Sequence, residues 1–211
     1  MLLKRGNAVL RSILNSRAFI WTLLALPAIP MTMALLNGSP ADGGEPVTHK
    51  LLHPTGEFAA RFMIVAMMIT PLRMLFPGAR FLSWMMLRRR YFGVAAFAYA
   101  AAHTLLYIVD MQTLQAMWAE FFALGIWTGW LAFFVFIPLA ATSNDHFVRK
   151  LGPAWKSLQR WVYVAALATL VHWIFVHNNL GPALVHFVPL AGLEVYRIWR
   201  NQAASAERKP A

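Results

Sequence analysis

The stretch FFALGIWTGWLAFFVFIPLAA (residues 121–141) decides the fold class of this chain, because it carries no charged side chain. An α-helix rises 1.5 Å per residue, so a run of this length extends over about 30 Å. That is the thickness of the hydrocarbon core of a bilayer. Residues 121–141 are therefore predicted to form a transmembrane helix.

Five further apolar segments of similar length occur along the chain. They cover residues 18–36, 58–76, 91–109, 161–177 and 180–199. The composition agrees with them, since 59% of the residues are hydrophobic and 13% are charged, whereas soluble domains carry about 25% charged residues. The sequence predicts an all-α integral membrane bundle of six transmembrane helices. It forms a single domain over residues 1–211 and ends in a polar tail at residues 201–211.

The distribution of charge predicts the orientation of this bundle. The net charge is +11, and 17 of the 19 Lys and Arg residues fall on one side of the predicted membrane. The positive-inside rule then places both termini in the cytoplasm. Because the basic residues form short clusters between apolar runs, a nucleic-acid partner is not expected. The chain has no cysteine, which excludes disulfides, thiolate metal sites and iron–sulfur clusters.

Two histidines within the predicted spans are candidates for ligands of a metal or a haem iron. Counted along their helices, His103 and His172 each lie about 18 Å from the cytoplasmic edge. Imidazoles from facing helices at one depth can hold a haem iron from opposite sides. The alternative is that each histidine only forms a hydrogen bond with a neighbouring helix.

His186 and Arg61 are further candidates. His186 lies about 9 Å below the outer edge of the last span and ranks third as a ligand. Arg61 lies just inside the outer end of the second span, where it either extends outward to water or contacts a haem propionate. The remaining histidines are interpreted as surface or interfacial: His49, His53, His146 and His177. No Ser/His/Asp set and no paired carboxylates are visible, so no catalytic residue is predicted.

Several motifs resemble one known family in register over residues 45–177. The motifs are Arg89–Gly93 with Phe97–Tyr99, His103 and Tyr107; His53–Gly56 with Ile69–Leu72; Thr142-Ser143; and Arg149–Gly152 with Trp155, Leu158, Val162-Tyr163 and His172. Together they resemble the MsrQ (YedZ) family, the haem-binding membrane subunit of a periplasmic methionine sulfoxide reductase system. That family belongs to the ferric-reductase-like transmembrane superfamily.

The resemblance implies a cofactor, partners and a location. The cofactor is b-type haem, with His103 and His172 as its iron ligands, and FMN is a further candidate cofactor. Electrons would come from a cytoplasmic flavin reductase or from the quinone pool. They would leave for a periplasmic molybdopterin subunit that reduces methionine sulfoxide. The chain would lie in the bacterial inner membrane.

One position departs from the family pattern. The family has a histidine where this chain has Gln159, thirteen residues before His172. Glutamine is a poor haem ligand beside imidazole, so a single haem in the outer half of the membrane is expected. Two other functions stay open. One is a ferric or quinone reductase with a different partner, and the other is a non-redox scaffold or transporter with structural histidines.

Overall fold

The computed structural model describes residues 12–38 and 45–207, and every regular element within these ranges is α-helical. Besides a helical turn at residues 12–15, ten helices follow along the described chain: α1 (Arg17–Ala25), α2 (Ala28–Asn37), α3 (Val47–Leu75), α4 (Arg80–Met111), α5 (Leu114–Glu120), α6 (Leu124–Ala141), α7 (Asp145–Leu151), α8 (Pro153–Gln159), α9 (Val162–His177) and α10 (Leu180–Ala206). The basic residues at positions 1–11 and the end of the predicted polar tail lie outside the described residues.

Four helical segments in the described ranges are long and apolar enough to cross a membrane. They are α3, α4, α6 and the segment Pro153–His177, which joins α8 and α9. The bent pair of α1 and α2 would be a fifth span if it crosses as one unit. The predicted all-helical, multi-pass membrane architecture is confirmed. The predicted number of six spans and the predicted cytoplasmic position of both termini are not confirmed.

The first predicted span, residues 18–36, is broken in the structure. Helices α1 and α2 meet at an angle of 53°. The break lies at Leu26 and Pro27, and proline has no N–H to donate and clashes with the preceding turn. The predicted span at residues 18–36 runs through this proline, but in the structure the proline separates two short helices.

Three predicted spans are parts of longer helices. Helix α3 begins at Val47 and α4 at Arg80, each eleven residues before the predicted start. Helix α10 continues to Ala206, into the predicted polar tail. It contains the predicted sixth span but is not among the four segments apolar enough to cross a membrane.

Two helix pairs form the centre of the bundle. The most extensive contacts join α3 to α4 and α6 to α9, and α10 packs against α3. Small residues lie at these contacts, and Ala60, Ala96 and Ala165 are at most 1% exposed. Small side chains let helix backbones approach closely within a membrane. This close packing brings α4 and α9, which carry His103 and His172, to opposite sides of one cavity.

Candidate functional site

A cavity of about 250 Å³ lies between α3, α4, α6 and α9. Apolar side chains line most of it, among them Ala60, Ala100, Phe133 and Phe136. At one end it is bordered by polar side chains of His49, His53 and Asp110, which belong to the first turns of α3 and the last turn of α4. An apolar cavity with a few polar groups is the usual form of a cofactor site.

His103 and His172 face each other across this cavity. Their ring centroids are 6.0 Å apart, and the ring planes are nearly perpendicular, at 83°. His103 lies on α4 and His172 on α9, so one residue comes from each of the two central helix pairs. The structure therefore brings together the two histidines that the sequence singles out by depth.

Backbone carbonyls fix the orientation of both rings. Nδ1 of His103 lies 2.9 Å from the Leu52 carbonyl oxygen on α3, and Nδ1 of His172 lies 2.7 Å from the Gly125 carbonyl oxygen on α6. A carbonyl oxygen only accepts, so each Nδ1 carries the proton. Nε2 of each neutral imidazole then has a lone pair for a metal. This second hydrogen bond is typical of metal-binding histidines.

Two glycines allow the neighbouring helices to approach these rings. A Cβ atom at Gly56 would lie 3.1 Å from Nδ1 of His103, and one at Gly129 would lie 2.6 Å from Nδ1 of His172. The second distance is shorter than any ordinary contact, so position 129 has no room for a side chain. Neither glycine is among the site residues predicted from the sequence. Each follows a threonine, and this repeated Thr-Gly pair was the signal available in the sequence.

The spacing of the two rings fits coordination of one metal atom between them. A bond from imidazole nitrogen to a metal is about 2 Å long, and the ring centre lies about 1 Å further away, so opposed ligands have centroids about 6 Å apart. The observed separation is 6.0 Å. The spacing of His103 and His172 therefore fits one metal atom held between the two imidazoles.

Tyr107 adds a second observation about the cavity. Its side chain lines the cavity, and its hydroxyl is buried without a hydrogen-bond partner among the described residues. A buried polar group without a partner costs about 1–3 kcal/mol. The hydroxyl is therefore available to a polar group of a molecule bound in the cavity.

Arg61 and His186 lie together, outside the lining of this cavity. Nε of Arg61 donates to Nε2 of His186 over 3.3 Å, and Nδ1 of His186 donates to the Pro182 carbonyl over 2.7 Å. Both ring nitrogens of His186 are thus already hydrogen-bonded. Arg61 also forms an ion pair with Glu57 at 2.9 Å, and Glu57 does line the cavity.

Three of the histidines interpreted as interfacial border the cavity. The rings of His53 and His177 are 4.7 Å apart, and Nδ1 of His49 lies 2.8 Å from a carboxylate oxygen of Asp110. His146 is exposed on α7. The spacing of His49, His53 and Gly56 on one helix face was a usable signal. The predicted second span begins only at residue 58, so the sequence analysis places these residues outside any helix.

Gln159 forms contacts at the end of the bundle opposite to His49, His53 and Asp110. Its side-chain amide donates to the Leu139 carbonyl over 3.1 Å and to the Thr142 hydroxyl over 3.2 Å. Leu139 lies in the last turn of α6, where backbone carbonyls lack helical partners, and Thr142 follows the helix as its C-cap. On α10, Glu194 and Arg197 are three residues apart and form an ion pair at 3.2 Å.

The chain is similar to one protein family and to several named relatives. Residues 55–170, more than half of the chain, match the protein family described as ferric reductase like transmembrane component. A protein of Brucella anthropi is 32% identical over 90% of this chain and 86% of its own length. One of Rhizobium meliloti is 33% identical over 91% of this chain and 92% of its own length. Both are named protein-methionine-sulfoxide reductase heme-binding subunit MsrQ.

The chain belongs to the MsrQ family. A protein of the same name from Xanthomonas euvesicatoria is 31% identical over 80% of this chain, and no solved structure matches the chain. The match to the ferric reductase like family begins at Thr55 and ends at Leu170, so it includes Gly56, His103 and Gly129. The MsrQ relatives align over nearly the whole chain, and the resemblance inferred from the motifs is confirmed.

Proposed function

We propose that this member of the MsrQ family holds one b-type haem between His103 and His172 and transfers electrons across the membrane. The observation that carries the proposal is the 6.0 Å separation of the two imidazoles across an apolar cavity. The carbonyl hydrogen bonds support it, because they direct Nε2 of both rings away from the helices and toward the cavity. The name of the relatives, heme-binding subunit, agrees with this cofactor.

The residues of the chain suit electron transfer better than catalysis. When bound, a haem supplies reversible one-electron chemistry at its iron. His103 and His172 would hold the haem iron through Nε2, and no catalytic side chain was identified beside them in the described part of the chain. Apolar side chains such as Phe133 and Phe136 would exclude water from the cavity. The hydroxyl of Tyr107 would donate a hydrogen bond to a polar group of the cofactor.

Charge and topology support a direction for this transfer. With six spans and both termini in the cytoplasm of a bacterial inner membrane, the cavity would open toward the periplasm. The electron donor would be a cytoplasmic flavin reductase or the quinone pool, with FMN as an additional cofactor. The acceptor would be a periplasmic molybdopterin subunit that reduces methionine sulfoxide. The basic clusters of the opposite face suit an anionic flavin.

Arg61 and His186 take supporting roles in this proposal. Arg61 would contact a haem propionate at the edge of the cavity, since its Glu57 partner already lines it. His186 would hold Arg61 rather than the iron, because its Nε2 accepts the Arg61 hydrogen bond. His186 remains the alternative ligand to be tested beside the two central histidines.

The first experiment measures the ratio of haem to protein in purified variants. The wild-type chain is expected to bind about one haem with a six-coordinate, low-spin spectrum. His103→Ala and His172→Ala should lose it, whereas His186→Ala and the exposed control His146→Ala should retain it. Arg61→Ala should retain the ligands and bind haem more weakly.

Other outcomes separate the alternatives. Full haem retention in both His103→Ala and His172→Ala would refute the ligand assignment. A colourless wild-type protein, purified after ample haem supply, would favour a scaffold or transporter. Reduced protein that passes electrons to ferric chelates but not to the periplasmic reductase would favour a ferric reductase of the same superfamily.

A further inference from the structure

The two histidines rest on equivalent pieces of helix. On α3, the pair Thr55-Gly56 faces His103, and on α6 the pair Thr128-Gly129 faces His172. In each case the carbonyl that accepts from the histidine lies three residues before the threonine and four before the glycine. The same arrangement thus occurs twice, once in each central helix pair.

Each threonine hydroxyl shares its one proton between two carbonyls, and the more distant of them is the carbonyl that accepts from the histidine. The hydroxyl of Thr55 lies 3.0 Å from the Leu52 oxygen, and that of Thr128 lies 3.0 Å from the Gly125 oxygen. Each hydroxyl also lies 2.6 Å from the carbonyl one residue earlier. Thr55 and Thr128 are 3% and 4% exposed and are two of the three buried polar residues in the described ranges.

Local structure alone does not call for threonine at these positions. Threonine is a weaker helix former than alanine, and its bond to an earlier carbonyl slightly destabilises the helix. A function in holding the histidines would account for both threonines. The Leu52 and Gly125 oxygens already accept a backbone N–H of the helix. Each additional donor at the same oxygen weakens its bond to the others.

We infer that Thr55 and Thr128 are positioning residues that set the electron-donor strength of His103 and His172 by sharing their carbonyl acceptors. A stronger bond from Nδ1–H to a carbonyl makes the imidazole a more basic ligand. Because each threonine takes part of the acceptor, it weakens that bond and makes Nε2 a poorer donor. The inference rests on the proposed haem ligation and extends it to the surrounding hydrogen bonds.

The inference predicts the sign of a change in reduction potential. Thr→Val keeps the branched shape and removes the hydroxyl, so the histidine gains a larger share of the carbonyl. A more basic imidazole stabilises ferric over ferrous iron, and the midpoint potential should fall. Thr55→Val and Thr128→Val should each lower it, the double variant should lower it by about the sum, and Thr→Ser should restore the wild-type value.

The test is a potentiometric titration of the purified haem-loaded protein, combined with the EPR spectrum of its ferric form. Thr32→Val is the matched control, because the Thr32 hydroxyl forms the same bond to an earlier carbonyl, at 2.8 Å, on an exposed helix away from both histidines. The control should shift neither the potential nor the EPR signal. Retained haem with a lowered potential in the valine variants, and recovery with serine, would support the inference.

Two results would overturn it. One is a double valine variant that retains haem with an unchanged potential and EPR spectrum. The other is an equal shift in the valine and serine variants, since serine keeps the hydroxyl. Both differ from a failure of the proposed function, in which His103→Ala and His172→Ala would retain the haem.

Discussion

Replacing Gly129 with alanine would test how closely α6 packs against the His172 ring. The new Cβ would lie 2.6 Å from Nδ1 and 2.8 Å from Cε1 of His172. An ordinary contact is about 3.5 Å, so the ring would have to retreat by about 0.9 Å. Its Nδ1 is held by the Gly125 carbonyl at 2.7 Å. Ligand bonds in metal sites tolerate deviations of about 0.2 Å.

Two other glycines give a graded comparison on the opposite helix pair. At Gly56 the Cβ would lie 3.1 Å from Nδ1 of His103, which calls for a displacement of about 0.4 Å. At Gly93, on α4, no atom lies within 4 Å of the new Cβ. Alanine is favoured over glycine in a helix by about 1 kcal/mol, so Gly93→Ala should leave stability unchanged or slightly higher.

The assay is the haem-to-protein ratio with the ferric EPR spectrum, and circular dichroism verifies folding. Gly129→Ala is expected to lose most of its haem, Gly56→Ala to retain it with an altered spectrum, and Gly93→Ala to match the wild type. Full retention with an unchanged spectrum in Gly129→Ala, in a protein of normal helical content, would refute the close packing and the ligand geometry together.

Two further substitutions probe the ends of the cavity and of α6. Tyr107→Phe removes a buried hydroxyl without a partner among the described residues, so the haem-free protein should become more stable by about 1 kcal/mol or more. Haem retention should fall in the same variant, because the hydroxyl could no longer bond to the cofactor. A lower thermal stability of the haem-free protein would contradict the conclusion that the hydroxyl has no partner. Gln159→Ala removes one donor from the Leu139 carbonyl and from the Thr142 hydroxyl. Both groups keep another partner, the Ser143 hydroxyl and the Pro138 carbonyl respectively. It should cost about 1 kcal/mol in thermal unfolding while the visible spectrum stays unchanged, and a changed spectrum would give Gln159 a role near the haem.

The pairing of His103 with His172 could be predicted because depth within a membrane follows directly from position along a helix. Each residue adds 1.5 Å, and the start of a span can be read from charge and hydropathy. Errors of several residues in the helix ends, as at Val47 and Arg80, did not matter. His103 is counted from Tyr91, which follows three arginines, and His172 from Arg160, near the same predicted membrane surface. The comparison therefore depends on their relative depth.

The histidines at the cavity mouth were harder to predict. His49 and His53 precede the apolar run of α3, in a stretch with a proline and several polar residues. Packing against α4 extends the helix through this stretch, and Asp110 supplies a partner for His49.

The effect of each proline was also hard to predict. Pro27 separates α1 from α2, although prolines at positions 54, 71, 138 and 189 lie inside continuous helices. Residue type alone does not distinguish these cases, because neighbouring helices decide which lost hydrogen bonds are replaced.

The sequence by itself determined that this chain is a helical membrane protein and that two histidines lie at one depth. Both follow from the length of the apolar runs and from the charge of the segments between them, which are local properties of the sequence. Only the tertiary structure decided that α3 supports His103 and α6 supports His172. The acceptors are backbone carbonyls, which every residue carries. Their role therefore depends on which helices touch and on glycines that let them approach.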